Sequence, residues 1–349
     1  MTKFFAVIVL LFGLLKSSSC SLNVQCYSND VHRRILFTGP HVPGKSCFIF
    51  DWPSSSERQE SYDFSVDYAQ NIDITKIELH GEPGSPSVPL EVKRIPNEIF
   101  TVFPELTRFY AHIALTFLDY KDFRNAMNLT DICIYSGNIK TLSSTSFSPV
   151  SQPATQSINE DHTPVFPLHK LYALRLYNNG IDEIEDKAFF GLTRLLTLRI
   201  ERNSLTAIRR HTFAGLPSLE NLSLRGNKIE TIEDGSFELP ALLTLMLEKN
   251  KLKRLSENVF SQLSPNLEGI ALGYNDLVHV GRSLYALSKV KVIRLERNRG
   301  NGIDDLDTKI LDKMSSLYFV TLPNDEMLTY RNVSPTINFS FNDTSGLIG

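Results

Sequence analysis

The most reactive side chains in this sequence are its cysteines, and they are few. The chain has 349 residues and four cysteines, at Cys20, Cys26, Cys47 and Cys133. Cys133 lies between two isoleucines in the stretch NLTDICIYSGNIKTL, at a position where a strand would direct its side chain to the surface. A thiol there either stays reduced or forms a disulfide with another chain, and a neighbouring arginine would favour its reactive thiolate form.

The sequence contains no recognisable catalytic motif. It has no HExxH metal motif, no GxSxG nucleophile elbow, no glycine-rich phosphate loop and no CxxC pair. Its eight histidines are scattered. His80 and His112 share one repeat position, but a metal site between them lacks an obvious third ligand. We therefore expect a protein that is not an enzyme and that binds no metal or cofactor.

The structural element that positions the remaining polar side chains is a repeat. Asparagines recur every 23 to 25 residues, each within the same eleven-residue template, from LYALRLYNNGI to VKVIRLERNRG. These asparagines are Asn179, Asn203, Asn227, Asn250, Asn275 and Asn298. A ladder of phenylalanines runs in phase with them: Phe189, Phe213, Phe237 and Phe260. Repeats of this length predict stacked units that each contribute one short strand to a shared core.

Each template position has a physical role. Positions 4, 6 and 11 point into the core with the phenylalanine, whereas positions 3, 5, 7 and 8 face outward from the sheet. The asparagine at position 9 satisfies backbone groups at the turn, where an unpaired buried group costs about 1–3 kcal/mol. Weaker copies of the template begin at Ile74, Leu106, Leu129 and Leu317, which gives about ten repeats. In the copy at Leu129, Gly137 replaces the asparagine, and the next residue, Asn138, is the expected substitute.

This template resembles that of extracellular leucine-rich repeat proteins of the typical class, with repeats of about 24 residues. Toll-like receptors and insect secreted relatives, such as the short mosquito leucine-rich immune proteins, belong to this class. The resemblance implies an α/β solenoid, the leucine-rich repeat horseshoe, with a parallel β-sheet on its concave face. It also implies binding of a protein or microbial surface ligand through that face, in insect innate immunity. Two other roles stay open: a cell-adhesion or guidance ligand, and a carrier subunit or inhibitor of an extracellular enzyme.

The N-terminal region predicts the compartment and a cap. Residues 1–20 have the short positive region and apolar run of a signal peptide, which predicts secretion with no membrane span. Residues 21–73 form the predicted cap, where Cys26 and Cys47 would close a loop of about 20 residues with a disulfide worth about 3 kcal/mol. The alternating segment after Cys47 is expected to pair with the first repeat. Cys133 is then the thiol that is reduced or bonded to another molecule.

The rest of the chain divides into repeats and a tail. The repeats span residues 74–325, with insertions near 81–94 and 148–167, and residues 326–349 form a glycosylated tail. The second insertion is either a loop that contacts a partner or a solvated segment. Five sequons fit an extracellular compartment: Asn128, Asn221, Asn332, Asn338 and Asn342. The net charge of −3 gives no reason to expect nucleic acid or an anionic membrane as partner.

Tyrosines and arginines cluster at the outward positions of the second to sixth strands. We name this set the predicted binding face: Tyr110, Tyr135, Arg175, Tyr177, Arg199, Glu201, Arg202 and Arg225. Because tyrosine and arginine dominate interface hot spots, the set predicts a protein-binding surface. The alternative is an exposed sheet that mixed charge keeps soluble, with Arg199 and Glu201 neutralising each other.

Overall fold

The computed structural model describes residues 5–9, 23–27, 32–36, 45–49, 63–66, 74–80, 91–92, 94–95, 97–148, 167–298, 303–306 and 308–329. The chain divides into two compact units. The first unit comprises Met1–Leu205 with His211–Ser218, and the second comprises Thr206–Arg210 with Leu219–Gly349.

Parallel strands dominate the first unit. Its strands are β1 (Phe5–Val9), β2 (Asn23–Tyr27), β3 (His32–Leu36), β4 (Lys45–Ile49), β5 (Asp63–Val66), β6 (Ile74–His80), β7 (Glu91–Val92), β8 (Arg108–His112), β9 (Ala114–Leu115), β10 (Asp131–Tyr135), β11 (Thr141–Leu142), β12 (Ala173–Tyr177), β13 (Glu183–Ile184) and β14 (Thr197–Arg199). The main sheet runs β4-β6-β8-β10-β12-β14, and its neighbouring strands are parallel. A separate sheet has the order β3-β2-β1-β5. The helical segments among the described residues of this unit are α1 (Glu98–Val102) and the 3-10 helix Tyr120–Phe123.

The second unit repeats the same pattern. Its strands are β15 (Ala207–Ile208), β16 (Asn221–Ser223), β17 (Thr231–Ile232), β18 (Thr244–Met246), β19 (Gly269–Ala271), β20 (Val292–Arg294), β21 (Phe319–Thr321) and β22 (Met327–Thr329). Its sheet runs β16-β18-β19-β20-β21-β22, and only the last strand is antiparallel. The helices are α2 (Thr308–Lys313) and the 3-10 helix Ser283–Ala286. The predicted parallel β-sheet solenoid of leucine-rich repeats is therefore confirmed, with little helix.

Alternation along each strand separates the core from the surface. In β12, Leu174 and Leu176 are fully buried, whereas the alternate residues Arg175 and Tyr177 are partly exposed. The same pattern recurs in β8 and β10, as template positions 4 and 6 predict. The rungs therefore share one apolar interior on one side of the sheet.

The template asparagines hold consecutive turns together as predicted. The buried Asn203 accepts hydrogen bonds at Oδ1 from the backbone N of Asn179 (2.9 Å) and of Ile181 (3.1 Å). Its Nδ2 donates to the carbonyls of Leu176 (2.7 Å) and Glu201 (3.0 Å). Asn250, Asn275 and Asn298 repeat this arrangement in the second unit. Each side chain satisfies backbone groups of its own turn and of the preceding one.

The phenylalanine ladder continues across the second predicted insertion. Phe147 stacks on Phe189 with ring centroids 6.0 Å apart, although residues 149–166 separate them along the chain. Phe189 in turn stacks on Phe213 at 6.2 Å, and Phe123 stacks on Phe147 at 6.3 Å. The insertion therefore leaves the packing of neighbouring rungs intact, consistent with the direct pairing of β10 and β12.

The expectation that Asn138 substitutes for the missing asparagine is wrong. Its side chain is exposed, and only its backbone N takes part, donating to the carbonyl of Leu115 at 2.8 Å. Asn179 of the next repeat serves this turn instead, because its Oδ1 accepts from the backbone N of Gly137 at 3.1 Å. A Cβ on Gly137 would lie 2.3 Å from that oxygen, so the glycine makes room for the neighbouring amide.

The two ends of the repeat array are covered differently. At the start, β4 pairs in parallel with β6, as expected for the segment around Cys47. At the end, β22 folds back antiparallel to β21, and the hairpin is closed by the backbone hydrogen bond from Asp325 to Leu322 (3.0 Å). This hairpin covers the last parallel strand.

Several predicted features lie outside the described residues. They include the side chains of Cys26 and Cys47, the inserted residues 149–166, the tail beyond residue 329 and its sequons Asn332, Asn338 and Asn342. Of the predicted signal peptide, only β1 is described. The cap disulfide, the cleavage and the domain boundaries stay predictions.

We expect Asn203→Ala to lower the free energy of unfolding by at least about 2 kcal/mol, because two backbone donors and two carbonyls lose a buried partner. Urea denaturation followed by circular dichroism measures the change. The exposed Asn258→Ala is the matched control. Equal losses in the two variants would contradict the bridging role of Asn203.

Candidate functional site

Two columns of side chains run across the strands of the first unit. In the first column Tyr110, Cys133, Arg175 and Arg199 are register partners on successive strands. Each stands next to a fully buried residue such as Ile132, so each side chain lies on the face opposite the core. The parallel register thus brings together four residues that are far apart in sequence.

The second column carries stacked aromatic rings. Tyr135 and Tyr177 are register partners on β10 and β12. The ring of His112 stacks on that of Tyr135, with centroids 4.4 Å apart and planes 20° apart. Such stacking contributes about 0.5–1.5 kcal/mol beyond area burial and fixes the orientation of the tyrosine. His112 therefore belongs to the candidate site through its ring. Its template position, which it shares with His80, placed it on the outward face but did not predict the stacking on Tyr135.

Asp131 is the main charged residue that the sequence-based prediction missed. Its carboxylate lies 3.2 Å from Nη1 of Arg175, and its side chain is only 7% exposed. Burial lowers the pKa of Arg175, but the hydrogen bond and charge of Asp131 outweigh burial and leave that pKa raised. The guanidinium is therefore held in place and already partly neutralised within the sheet.

Asp131 also acts on two tyrosines. A hydrogen bond to Asp131 is the largest cause that raises the pKa of Tyr172, an exposed ring just before β12. Burial is the largest cause that raises the pKa of Tyr110, and the charge of Asp131 adds to it. Both phenols are thus kept protonated and able to donate a hydrogen bond. Tyr172 was missed because it stands at template position 2, at the edge of the outward-facing set.

The next rung carries a second ion pair. Nη1 of Arg199 lies 3.8 Å from Oε1 of Glu201, with both side chains largely buried. This ion pair is the mutual neutralisation of Arg199 and Glu201 that the alternative of a soluble, mixed-charge sheet predicts. Burial is the first cause that raises the pKa of the neighbouring Tyr177, so its hydroxyl also stays protonated. The surface is therefore a set of neutral phenols between internally paired charges.

Arg202 and Cys133 occupy the remaining predicted positions in this unit. Arg202 is exposed and has a left-handed backbone, with φ of 54°, at the turn that follows β14. Cys133 is half-buried between its register partners Tyr110 and Arg175. The prediction of a disulfide-linked partner through Cys133 stays open.

Arg225, the last predicted residue, belongs to the second unit, where the outward face has a different character. The column that corresponds to Tyr110 and Arg175 is here buried at Ser223, Met246 and Ala271, and it becomes partly exposed again at Arg294. Glu248 is also buried, and among the described residues its Oε2 has no hydrogen-bond partner. Burial raises the pKa of Glu248, although the charges of Arg225 and Arg294 oppose the increase.

No catalytic centre or metal centre emerges among the residues that the structure describes. No cluster of three or more His, Cys, Asp or Glu side chains could hold a metal ion there. No helix in that part of the chain is long and apolar enough to cross a membrane. The arrangement of rings and paired charges is suited to forming contacts with another molecule.

Family models match the repeats. Residues 169–229 and 217–264 match the model described as Leucine rich repeat, and residues 84–166 match that of the BspA type Leucine rich repeat region. A comparison with curated proteins finds no match.

Solved structures show the same fold. The TLR13–ssRNA13 complex aligns with a TM-score of 0.55 at 26% identity, over 71% of this chain and 32% of that one. The mouse RP105/MD-1 complex aligns with a TM-score of 0.52 at 20% identity, over 71% and 38% respectively. This chain therefore covers about a third of the length of these relatives.

We expect Asp131→Asn to lower the pKa of Tyr172, because the substitution weakens the hydrogen bond that is the largest cause of the raised pKa and also removes the charge that disfavours the phenolate. Tyrosine ring carbons labelled for NMR report the titration of each phenol. Tyr177 is the internal control, since its pKa is raised mainly by burial. An unchanged pKa of Tyr172 would contradict the interaction between Asp131 and Tyr172.

We also expect Glu248→Gln to stabilise the protein increasingly as the pH rises above 4.5, the ordinary value for a glutamate. A carboxyl with a raised pKa in the folded state is protonated at low pH at no cost, and it lowers stability as it ionises. Urea midpoints at pH 5 and pH 7 measure the effect, with the exposed Glu230→Gln as control for loss of a charge. A constant difference between Glu248→Gln and wild type at the two pH values would contradict it.

Proposed function

Because the chain is a leucine-rich repeat protein, whose parallel strands carry their outward residues in register, we propose that it is an extracellular binding protein. Its partner is a protein or a microbial surface ligand, and the contact surface is the outward face of β8, β10, β12 and β14. The observation that carries the proposal is the pair of aligned tyrosines, Tyr135 and Tyr177, with His112 stacked on the first.

Pre-organisation makes this face favourable for binding. Tyrosine offers a large contact area with few rotatable bonds, so little conformational entropy is lost on binding. Burial and ring stacking already restrict these rings. Arg175 and Arg199 are paired with Asp131 and Glu201, so a partner need not desolvate isolated charges. The same surface would solubilise the sheet poorly, because its charges are paired and part-buried.

The proposed compartment and role rest on the sequence and on the relatives. The signal-peptide pattern and the sequons support secretion. The structural relatives are solved in complex with ssRNA13 and with MD-1. For this chain a protein or microbial surface partner fits better than RNA, because acidic residues pair with the arginines of the face and the net charge is −3. We propose a role in insect innate immunity.

We expect Tyr135→Ala combined with Tyr177→Ala to weaken partner binding by at least about 2 kcal/mol, because the two rings form the centre of the face. The immobilised protein is used to purify partners from extracellular fluid of the source organism, and retained proteins are identified by mass spectrometry. Affinity for the retained partner is then measured for wild type and variant.

Tyr285→Ala, which removes an exposed ring from the second unit, is the matched control. Secretion and the circular dichroism spectrum verify that each variant folds. Unchanged affinity of the double variant would contradict the location of the site. A retained enzyme in stoichiometric amount would favour the carrier or inhibitor role over immunity.

A further inference from the structure

The sequon Asn221-Leu222-Ser223 forms the whole of strand β16. Leu222 is fully buried, so the neighbouring Asn221 directs its half-exposed side chain to the outward face of the second unit. Its register partner is Thr244 on β18. A modification of this asparagine would therefore lie over the sheet, away from the turns at its edges.

The amide of Asn221 has a fixed orientation. The hydroxyl of Thr244 donates to Oδ1 of Asn221 at 2.7 Å, which holds that oxygen toward the next strand. Nδ2, the atom that accepts a sugar, makes no hydrogen bond with any residue that the structure describes. Asn128, the other described sequon, differs: its Nδ2 donates to the carbonyl of Pro104 (2.9 Å) and its Oδ1 accepts from Lys170 (2.7 Å).

The face around Asn221 is only partly closed to a partner side chain. In the adjacent column Ser223, Met246 and Ala271 are buried, whereas Arg294 on β20 is partly exposed. The corresponding positions of the first unit keep Tyr110, Cys133 and Arg175 partly exposed. A glycan on Asn221 would lie beside its register partner Thr244 on β18, one strand spacing of about 4.8 Å away.

We propose that Asn221 carries an N-linked glycan that occupies the outward face of the second unit and restricts protein recognition to the first unit. The inference rests on the proposed extracellular function. In the transfer step, Nδ2 bonds to the anomeric carbon of a lipid-linked oligosaccharide. The bond from that carbon to the lipid diphosphate breaks, and the diphosphate leaves as Nδ2 loses one proton.

The first experiment maps glycosylation on the protein secreted from insect cells. A peptide N-glycosidase in heavy-oxygen water converts each occupied asparagine to labelled aspartate, which peptide mass spectrometry locates. We expect label at Asn221 as well as in the tail. Label at Asn332, Asn338 or Asn342 without label at Asn221 overturns the inference about Asn221 and leaves the proposed extracellular compartment in place. No label at any sequon overturns the proposed compartment as well.

The second experiment tests which face the glycan blocks. The chain is immobilised, and the proteins that it retains from extracellular fluid are the probe. Asn221→Gln is expected to retain the proteins that wild type retains and to gain others on the uncovered face of the second unit. Thr197→Asn with Arg199→Ser creates the equivalent sequon on β14 and is expected to lose the wild-type proteins. Thr197→Gln with Arg199→Ser makes matching changes without a sugar and is expected to retain more of these proteins than the variant with the sequon. Loss of the wild-type proteins or no gain in Asn221→Gln, or equal retention by the two β14 variants, overturns the assignment of faces.

Discussion

The fold depends on one hydrogen-bonding arrangement, the buried amide of each template asparagine. An amide has both donors and an acceptor, so one side chain can satisfy carbonyls and N–H groups at the same turn. Asn203 does this for the turn after β12, and Asn250 bonds to Ile229 and Leu224 of the repeat before it. The amide thereby fixes the register between consecutive strands. A slip of one residue would turn every outward side chain inward, so the columns of the proposed binding surface depend on this register.

The same turns contain a backbone conformation that the residue types did not predict. Asn178, Arg202 and Lys249, at template position 8, have φ of 51°, 54° and 56°, a region that side chains disfavour by about 1–2 kcal/mol. Gly226, at the same position, avoids this cost. The conformation persists because it extends the ladder: the backbone N of Asn178 donates to Glu201 at 3.0 Å, and that of Lys249 donates to Gly273 at 3.1 Å. Position 8 therefore accepts varied side chains, and no glycine pattern reveals it.

Sequence reasoning predicts columns more reliably than it predicts contacts within them. The period and the alternation assigned Tyr110, Arg175 and Arg199 to one outward column, because those assignments depend only on backbone geometry. The period and the alternation did not predict the ion pair between Asp131 and Arg175, since that pair joins template position 3 of one strand to position 5 of the next. Such a diagonal pair depends on side-chain rotamers. The burial of Glu248 was missed for the same reason.

The outward column from Ser223 to Ala271 differs from that of the first unit in its side chains and not in its backbone geometry. In the second unit, Gly273 leaves room for its neighbour: a Cβ there would lie 2.8 Å from the carboxyl carbon of Glu296. Glu296 also accepts a hydrogen bond from Thr321, so its long side chain is bound along the sheet. Small residues such as Ser223 and Ala271 are likewise covered. In the first unit, phenol rings and guanidinium groups fill the equivalent positions and stay partly exposed. A repeat fold can thus change which outward side chains are exposed by changing the residues of one column, while the asparagine turns keep the backbone the same.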